Sequence, residues 1–274
     1  MLAAHEIRSR AAQASVDPGI VEKDYVLSKV LIALAPSAAF QERFRFKGGT
    51  ALKKCFYPHW RFSEDLDFTI TDSVPVKEIQ ALFQEAVDKV KELFGFSMRV
   101  LEFSQYPKTA SPVSVQLKLG YDGPLRKGSG QKNNIRVDLA FDEQIVLEPI
   151  SRPLLPMYPD DTTVALPVYP LEEIVAEKLR SILQRGKSRD YYDVWLLLKD
   201  HTSDFSLGVT QRVLREKCRH RGIPSPTVEM FLQPERVVEA QKFWERGLAH
   251  QVSALPALGH VVTDLQRLLT QVVG

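Results

Sequence analysis

The sequence predicts a mixed α/β core followed by a helical half. Before residue 170, segments of helical periodicity alternate with segments whose apolar residues recur at every second position; after it, every periodic segment is helical. The stretch 148–170 holds six prolines, which favours an extended connector between the halves. We therefore expect a core over residues 1–150, which includes an N-terminal helix, and a helical lobe over residues 151–274.

Composition narrows the class of protein. The 274 residues carry a net charge of +2, with 44% hydrophobic and 26% charged residues, as in an ordinary globular protein and unlike a disordered chain or a basic nucleic-acid packager. The longest uncharged stretch, 247–263, contains two histidines and a proline, and the first residues lack an apolar signal region. We expect a cytoplasmic protein without a membrane span, in which Cys55 and Cys218 are unpaired thiols.

The predicted elements of the core follow from periodicity and turn residues. Asp17 and Pro18 are typical of a helix start, and Gly95 of a helix end. The segment from Gly120 to Asn134 is rich in glycine and lysine, which predicts a long hairpin loop. The predicted order is a helix over 20–34, a strand over 44–47, a turn and short helix over 48–56, a strand over 62–70, a helix over 76–94, and hairpin strands over 113–119 and 135–141.

The helical half contains five predicted helices. Their apolar residues recur at intervals of three and four. They cover residues 171–184, 190–198, 209–220, 235–251 and 261–272.

Two aspartates in the predicted strand 62–70 are candidate metal ligands. Asp65 and Asp67 are two positions apart, so they lie on one face of the strand, and the apolar residues between and after them lie on the other. Two adjacent carboxylates repel each other, and hard oxygen ligands suit Mg²⁺ or Mn²⁺. A solvated strand face would show the same spacing, so this pattern alone leaves both interpretations open.

A glycine turn and a third aspartate extend this candidate site. Gly48, Gly49 and Thr50 lie between a predicted strand and helix, where backbone N–H groups can bind phosphate, although a turn needed only for geometry looks the same. Asp138 lies on the polar face of the strand 135–141. Together these elements would supply three carboxylates for two metal ions and a cradle for a triphosphate.

Two charged residues lie on apolar helix faces in the second half. Lys178 falls within the apolar stripe of the helix 171–184, and Asp193 precedes two leucines by three and four residues. A buried pair that only joins two helices and a catalytic pair both fit this pattern.

Four motifs follow one another along the chain: Lys47-Gly-Gly-Thr-Ala-Leu-Lys, Arg61-Phe-Ser-Glu-Asp-Leu-Asp-Phe, Ile174-Val-Ala-Glu-Lys-Leu and Arg189-Asp-Tyr-Tyr-Asp-Val-Trp. In this order they resemble the motifs of the AbiEii/AbiGii toxin family of nucleotidyltransferases. A fifth, Glu22-Lys-Asp-Tyr, is similar to the family's first helix, and the matches extend from about residue 21 to about residue 198. The resemblance implies a DNA-polymerase-β-like mixed sheet with flanking helices, and the toxin of a bacterial toxin–antitoxin or abortive-infection pair.

The resemblance also implies roles for the candidate residues. It implies metal binding by the two aspartates of the second motif, nucleotide binding by the first motif, and essential roles for the charged pair of the helical lobe. Asp138 is assigned to the metal site by its strand position. The implied metal is Mg²⁺ or Mn²⁺ and the substrate an NTP. The metal residues are Asp65, Asp67 and Asp138, the nucleotide-binding residues Gly48, Gly49, Thr50, Lys53 and Lys178, and the catalytic residues the three aspartates with Lys178 and Asp193.

The expected reaction is transfer of NMP from an NTP to an RNA 3′ end, with tRNA as the acceptor. Nucleotidylation of a protein or small molecule is an alternative, as is a non-catalytic protein that binds NTP. The resemblance implies a cognate antitoxin that is a DNA-binding regulator. Two basic segments, 120–134 and 212–221, could hold an RNA backbone, although solvated basic faces would show the same composition.

Overall fold

The structure is a computed structural model that describes residues 1–72, 74–109, 112–125 and 133–273. The chain divides into two compact units. The first comprises Met1–Glu143 and Pro149–Val168, and the second comprises Gln144–Glu148 and Tyr169–Gly274. The cations of the predicted hairpin loop, Arg126, Lys127 and Lys132, lie outside the described residues.

The helices of the first unit begin and end where local chemistry dictates. The carboxylate of Asp17 accepts a hydrogen bond from the backbone N–H of Gly19 at 2.7 Å, and Pro18 occupies the first helical position. Gly95, with a φ of 72°, ends the predicted helix 76–94. The helices are α1 (Ala4–Ala14), α2 (Pro18–Leu34), α3 (Ala38–Arg43), α4 (Gly48–Ala51), which continues as a π-helical segment (Leu52–Phe56), and α5 (Val76–Phe94).

One seven-stranded mixed sheet forms the centre of the first unit. Its strands are β1 (Phe44–Lys47), β2 (Asp65–Ile70), β3 (Met98–Tyr106), β4 (Ser114–Tyr121), β5 (Asn134–Ala140), β6 (Ile150–Pro153) and β7 (Ala165–Val168). The spatial order is β3-β4-β5-β2-β1-β7-β6. The pairs β2/β5 and β1/β7 are parallel, and the other neighbours are antiparallel. The predicted α/β fold class with a mixed sheet is confirmed.

The two faces of the sheet differ in polarity as the alternation predicts. Phe46 pairs with Phe68, and their rings lie 5.2 Å apart in the core. Val137 and Leu139 of β5 lie on the same buried face. The aspartates of β2 therefore lie on the opposite, polar face, because adjacent residues of a strand point to opposite sides.

Three strands depart from the expected pattern. The proline-rich connector contributes β6 and β7, which are four residues each; β6 lies at the edge of the sheet, where proline is tolerated. The other edge strand, β3, has a register shift between Val100 and Glu102 and many partly exposed residues, so its sequence lacks a continuous alternation. Edge position accounts for β6 and the bulge for β3, whereas β7 lies between β1 and β6 and contains Pro167, so the expectation that the proline-rich connector forms no central strand is wrong there.

The second unit is helical, as predicted. Its elements are α6 (Leu171–Arg185), α7 (Ser188–Asp200), a 3₁₀ turn (Thr202–Asp204), α8 (Leu207–His220), α9 (Val228–Phe231), α10 (Pro234–Lys242), α11 (Trp244–Leu248), α12 (Leu258–Leu268) and α13 (Thr270–Val273). The predicted helix 235–251 is interrupted at Phe243, whose φ and ψ of −115° and 7° leave the helical region. None of the helices within the described parts of the chain is long and apolar enough to span a membrane.

The basic segment 212–221 forms most of α8 but does not present all its cations outward. Lys217 is buried; its ammonium lies 2.7 Å from the buried carboxylate of Glu173 on α6 and donates to the backbone carbonyl of Gln144 at 2.8 Å. One of the five cations therefore stabilises the interior of the second unit, which leaves a smaller basic surface than the sequence suggested.

Candidate active site

The three candidate aspartates lie on two adjacent strands. In the parallel pairing of β2 and β5, Asp67 is directly opposite Asp138, and Asp65 is directly opposite Arg136. Residues in register on neighbouring strands share a face of the sheet. The structure thus brings together Asp65, Asp67 and Asp138, which we call the carboxylate cluster.

The glycine turn packs directly against this cluster. Gly48 has a φ of +80°, and a Cβ atom there would lie 2.4 Å from Oδ2 of Asp67. At Gly49, a Cβ atom would lie 3.2 Å from both Nη2 of Arg61 and Oγ of Ser63. Gly48 therefore needs glycine for its backbone conformation and for the close approach of the carboxylate. The first and second motifs meet at this turn.

Thr50 and Lys53 have contacts within the protein. The hydroxyl of Thr50, which is fully buried, donates to the backbone carbonyl of Asp65 at 2.5 Å and so fixes the start of β2. The ammonium of Lys53 donates to the carbonyls of Trp60 and Pro58 at 2.8 and 3.2 Å. Burial lowers the pKa of Lys53 to about 8. Nucleotide binding by these two residues stays a prediction.

Arg136 is a cation that binds the carboxylate cluster directly, and sequence reasoning placed it on the polar face of β5 without giving it a role. Its Nε and Nη2 donate to Oδ1 and Oδ2 of Asp65 at 3.0 and 2.9 Å, a bidentate pair. Hydrogen bonding to Asp65, followed by the charges of Asp65, Asp138 and Asp67, raises the pKa of Arg136. The sequence signal that could have predicted this role is the position of Arg136 two residues before Asp138, which places it on the same strand face as that acid.

The donor set of the carboxylate cluster suits a divalent metal. Carboxylate oxygens are the ligands that Mg²⁺ and Mn²⁺ prefer, and the missing side chain of Gly48 lets the carboxylate of Asp67 pack directly against the turn. Within the described ranges, however, no group of three or more Asp, Glu, His or Cys side chains is arranged to hold a metal ion. The residues fit the metal chemically, whereas their present arrangement pairs Asp65 with a guanidinium.

A buried polar network supports the site from α2. Lys54, on the π-helical segment, is fully buried, and its ammonium lies 2.6 Å from the carboxylate of Asp24. The same carboxylate accepts a hydrogen bond from the hydroxyl of Tyr158 at 2.7 Å. Lys23 lies 2.5 Å from Glu64, the residue before β2. The motif Glu22-Lys-Asp-Tyr therefore holds the π-helical segment that follows the glycine turn and the residue that precedes β2, a role that its sequence did not reveal.

Lys178 and Asp193 form the buried pair that helical periodicity indicated. The ammonium of Lys178, on α6, lies 2.6 Å from Oδ2 of Asp193, on α7. The side chains are 11% and 0% exposed. Within the second unit this pair joins two consecutive helices, and its catalytic role stays a prediction.

The two cysteines are free and buried. Burial raises the pKa of Cys55 to about 12 and that of Cys218 to about 11, so both remain protonated near neutral pH. Neither thiol has the depressed pKa of a nucleophile.

Comparison with known proteins identifies the family. The model of the nucleotidyl transferase AbiEii toxin family, type IV toxin–antitoxin system, matches residues 29–271. The structure is similar to that of MenT4, a nucleotidyltransferase toxin from Mycobacterium tuberculosis H37Rv, with a TM-score of 0.67, 20% sequence identity, and coverage of 99% of this chain and 90% of that chain. No curated protein matches the chain. Because the family model covers most of the sequence, this protein belongs to the AbiEii family of nucleotidyltransferase toxins of type IV toxin–antitoxin systems.

Proposed function

We propose that this toxin transfers NMP from an NTP to the 3′ end of an RNA, with tRNA as the acceptor. The observation that supports the chemistry best is the register of β2 and β5, which sets Asp67 opposite Asp138 beside the turn at Gly48. An acidic face next to a glycine turn is what nucleotidyl transfer needs, since the substrate carries both metal ions and phosphates.

In the proposed reaction the 3′-hydroxyl of the acceptor attacks the α-phosphorus of the NTP, and pyrophosphate leaves. Asp65 and Asp67 would hold two divalent metal ions, and Asp138 would complete the site of the ion that lowers the pKa of that hydroxyl. The cross-strand pairing of Asp67 and Asp138 fixes these two side chains on rigid elements. The hydrogen bond from Thr50 to the main chain of Asp65 fixes the backbone that carries the third.

The nucleotide-binding residues are proposed from the turn and its motif. Backbone N–H groups of the turn Gly48-Gly49-Thr50 would bind the β- and γ-phosphates, because the first N–H groups of a helix have no partner within it and α4 begins at Gly48. Catalytic roles for Lys178 and Asp193 rest on the resemblance of their motifs alone. We further propose that the protein acts in the cytoplasm and that its antitoxin is a DNA-binding regulator.

A labelling experiment tests this function. The purified protein is incubated with each of the four α-labelled NTPs, with Mg²⁺ or Mn²⁺, and with total bacterial RNA or total protein. We expect label in RNA of tRNA size with at least one NTP. The Asp67→Asn variant should give no label, while Asp72→Asn, which removes an exposed carboxylate just after β2, should label as the wild type does.

Other outcomes identify the alternatives. Label that resists ribonuclease and migrates with protein would indicate nucleotidylation of a protein acceptor. Binding of NTP with no labelled product in any fraction would indicate a non-catalytic NTP-binding protein and would refute the proposed transfer.

A further inference from the structure

The role of Arg136 goes beyond that of a surface cation. Its guanidinium uses two donors to bind both oxygens of Asp65, at 3.0 and 2.9 Å. Asp65 is predicted to be a metal ligand, and a guanidinium bound to both of its oxygens neutralises its charge and places a second cation where a metal ion would lie. A metal ion and Arg136 therefore compete for the same carboxylate.

The surroundings of Arg136 favour its release. Its side chain is 61% exposed, whereas that of Asp65 is 15% exposed, so little packing restrains the arginine while the aspartate is held in place. The backbone of Arg136 is fixed opposite Asp65 in the register of β2 and β5. A long side chain anchored at that point can turn away from the sheet without disturbing any strand.

The guanidinium also matches the incoming substrate. Its planar set of donors binds carboxylate and phosphate oxygens in the same bidentate geometry. When a metal–nucleotide complex arrives, Asp65 can exchange the guanidinium for the metal ion, and Arg136 can exchange the carboxylate for a phosphate. Each charge keeps an opposite charge beside it throughout this exchange, which avoids leaving an unpaired charge at the cluster.

We propose that Arg136 is an exchangeable cation of the carboxylate cluster, which holds Asp65 in the absence of substrate and binds a phosphate of the NTP once a metal ion takes Asp65. This inference rests on the proposed nucleotidyl transfer and assigns a substrate-binding residue to it. It predicts effects of opposite sign on two ligands, which a merely structural salt bridge would not give.

The test uses Arg136→Gln in the full-length protein, with Mn²⁺ alone and then an NTP as the probes. Binding of Mn²⁺ without nucleotide, measured by electron paramagnetic resonance, should be about tenfold tighter than in the wild type, because the competing charged hydrogen bonds are gone. The KM for the NTP in the transfer reaction should instead rise by about tenfold, because a phosphate contact is lost.

Lys118→Gln is the matched control. Lys118 lies next to Arg136 in the register of β4 and β5, but its ammonium pairs with Glu102 at 3.1 Å rather than with the carboxylate cluster. This variant removes the same charge from the same face of the sheet. It should change neither Mn²⁺ binding nor KM by more than about twofold, since exposed pairs contribute little.

The remaining outcomes are decisive. Equal Mn²⁺ binding by Arg136→Gln and the wild type would overturn the competition, and the proposed transfer would stand if both proteins still label RNA. Tighter Mn²⁺ binding with an unchanged KM would overturn the phosphate contact. A wild type that neither binds Mn²⁺ nor transfers a nucleotide would refute the proposed function and this inference together.

Discussion

Two charge clusters of the molecule contrast with each other. The carboxylate cluster of the first unit carries three acids on a polar sheet face, and its cation, Arg136, is 61% exposed. In the second unit, Lys178 and Asp193 bring one charge of each sign into the interior, where the side chains are 11% and 0% exposed. Three acids close together on a polar face favour binding of a further cation. A buried pair of opposite charges fits a structural role as well as it fits a catalytic one.

A third charge pair, in the first unit, shows the limit of this contrast. Lys54 and Asp24 are fully buried and 2.6 Å apart, and Tyr158 donates to the same carboxylate. This pair resembles Lys178 with Asp193 in burial and in distance, and it holds the π-helical segment that follows the glycine turn. Geometry alone therefore does not distinguish a catalytic buried pair from a structural one, and the distinction requires measurements of both stability and activity.

The largest effect is expected at the carboxylate cluster. Asp67→Asn should lower transfer by at least about 10³-fold, because a metal ligand on a polar face is lost, while the fold is retained because no core cavity opens. Thermal unfolding and labelling measure the two properties. Expression of the wild type alone should slow bacterial growth, and expression of Asp67→Asn should not. A purified variant that labels RNA at the wild-type rate would refute the metal assignment.

The next effect concerns the buried pair of the helical unit. Lys178→Met alone or Asp193→Val alone should lower the free energy of unfolding by about 3 to 5 kcal/mol, because each leaves one charge buried without its partner. The double variant should regain most of that stability and remain folded. We nevertheless expect it to be inactive, because the resemblance implies an essential role for both residues. Denaturant unfolding and transfer are measured for all three proteins.

Lys199→Met provides the control for this series, since Lys199 is an exposed lysine on α7. It should change stability by less than about 1 kcal/mol and leave transfer intact. A double variant at positions 178 and 193 with near wild-type transfer would show that the pair is only structural.

The sequence predicted some of these features because they depend on local periodicity. The shared face of Asp65 and Asp67 follows from alternation within one strand, and the inward position of Lys178 follows from the helical repeat. Local periodicity could not predict that Asp138 lies opposite Asp67, because that position depends on the register of two strands that are far apart in the chain. Its assignment by strand position is consistent with the observed face, and its role remains a prediction.

Other features depend on contacts that no local pattern contains. The direction of the Lys53 ammonium follows from the π-helical segment Leu52–Phe56, which the sequence predicted only as a short helix. The pairing of Arg136 with Asp65 depends on strand register in the same way as the position of Asp138. The edge strand β3 was not predicted because partial exposure and a bulge remove its alternation.

A smaller effect is expected from the pH dependence of Lys53. Burial lowers its pKa from 10.5 to about 8, so between these pH values the unfolded chain carries a proton that the folded chain has lost. Stability from this group therefore rises with pH across that window and is constant below it. Relative to Lys53→Met, the wild type should gain up to about 3 kcal/mol in unfolding free energy from pH 8 to 10.5.

Lys91→Met is the control for that titration, because Lys91 is exposed in the last turn of α5. If the difference between Lys53→Met and the wild type stays constant from pH 8 to 10.5, the lowering of the Lys53 pKa by burial is wrong.

The smallest effect is expected at Thr50, which links the turn to the cluster. Thr50→Val removes the hydroxyl that donates to the carbonyl of Asp65 and should lower the free energy of unfolding by about 1 kcal/mol, whereas Thr50→Ser retains the donor and should restore it. The measurement that separates positioning from nucleotide contact is the KM for the NTP. If the KM rises for Thr50→Val and returns to the wild-type value for Thr50→Ser, the hydroxyl of Thr50 also contacts the nucleotide directly. An unchanged KM with a reduced kcat would limit Thr50 to positioning Asp65, and the nucleotide contact predicted from the motif would be wrong.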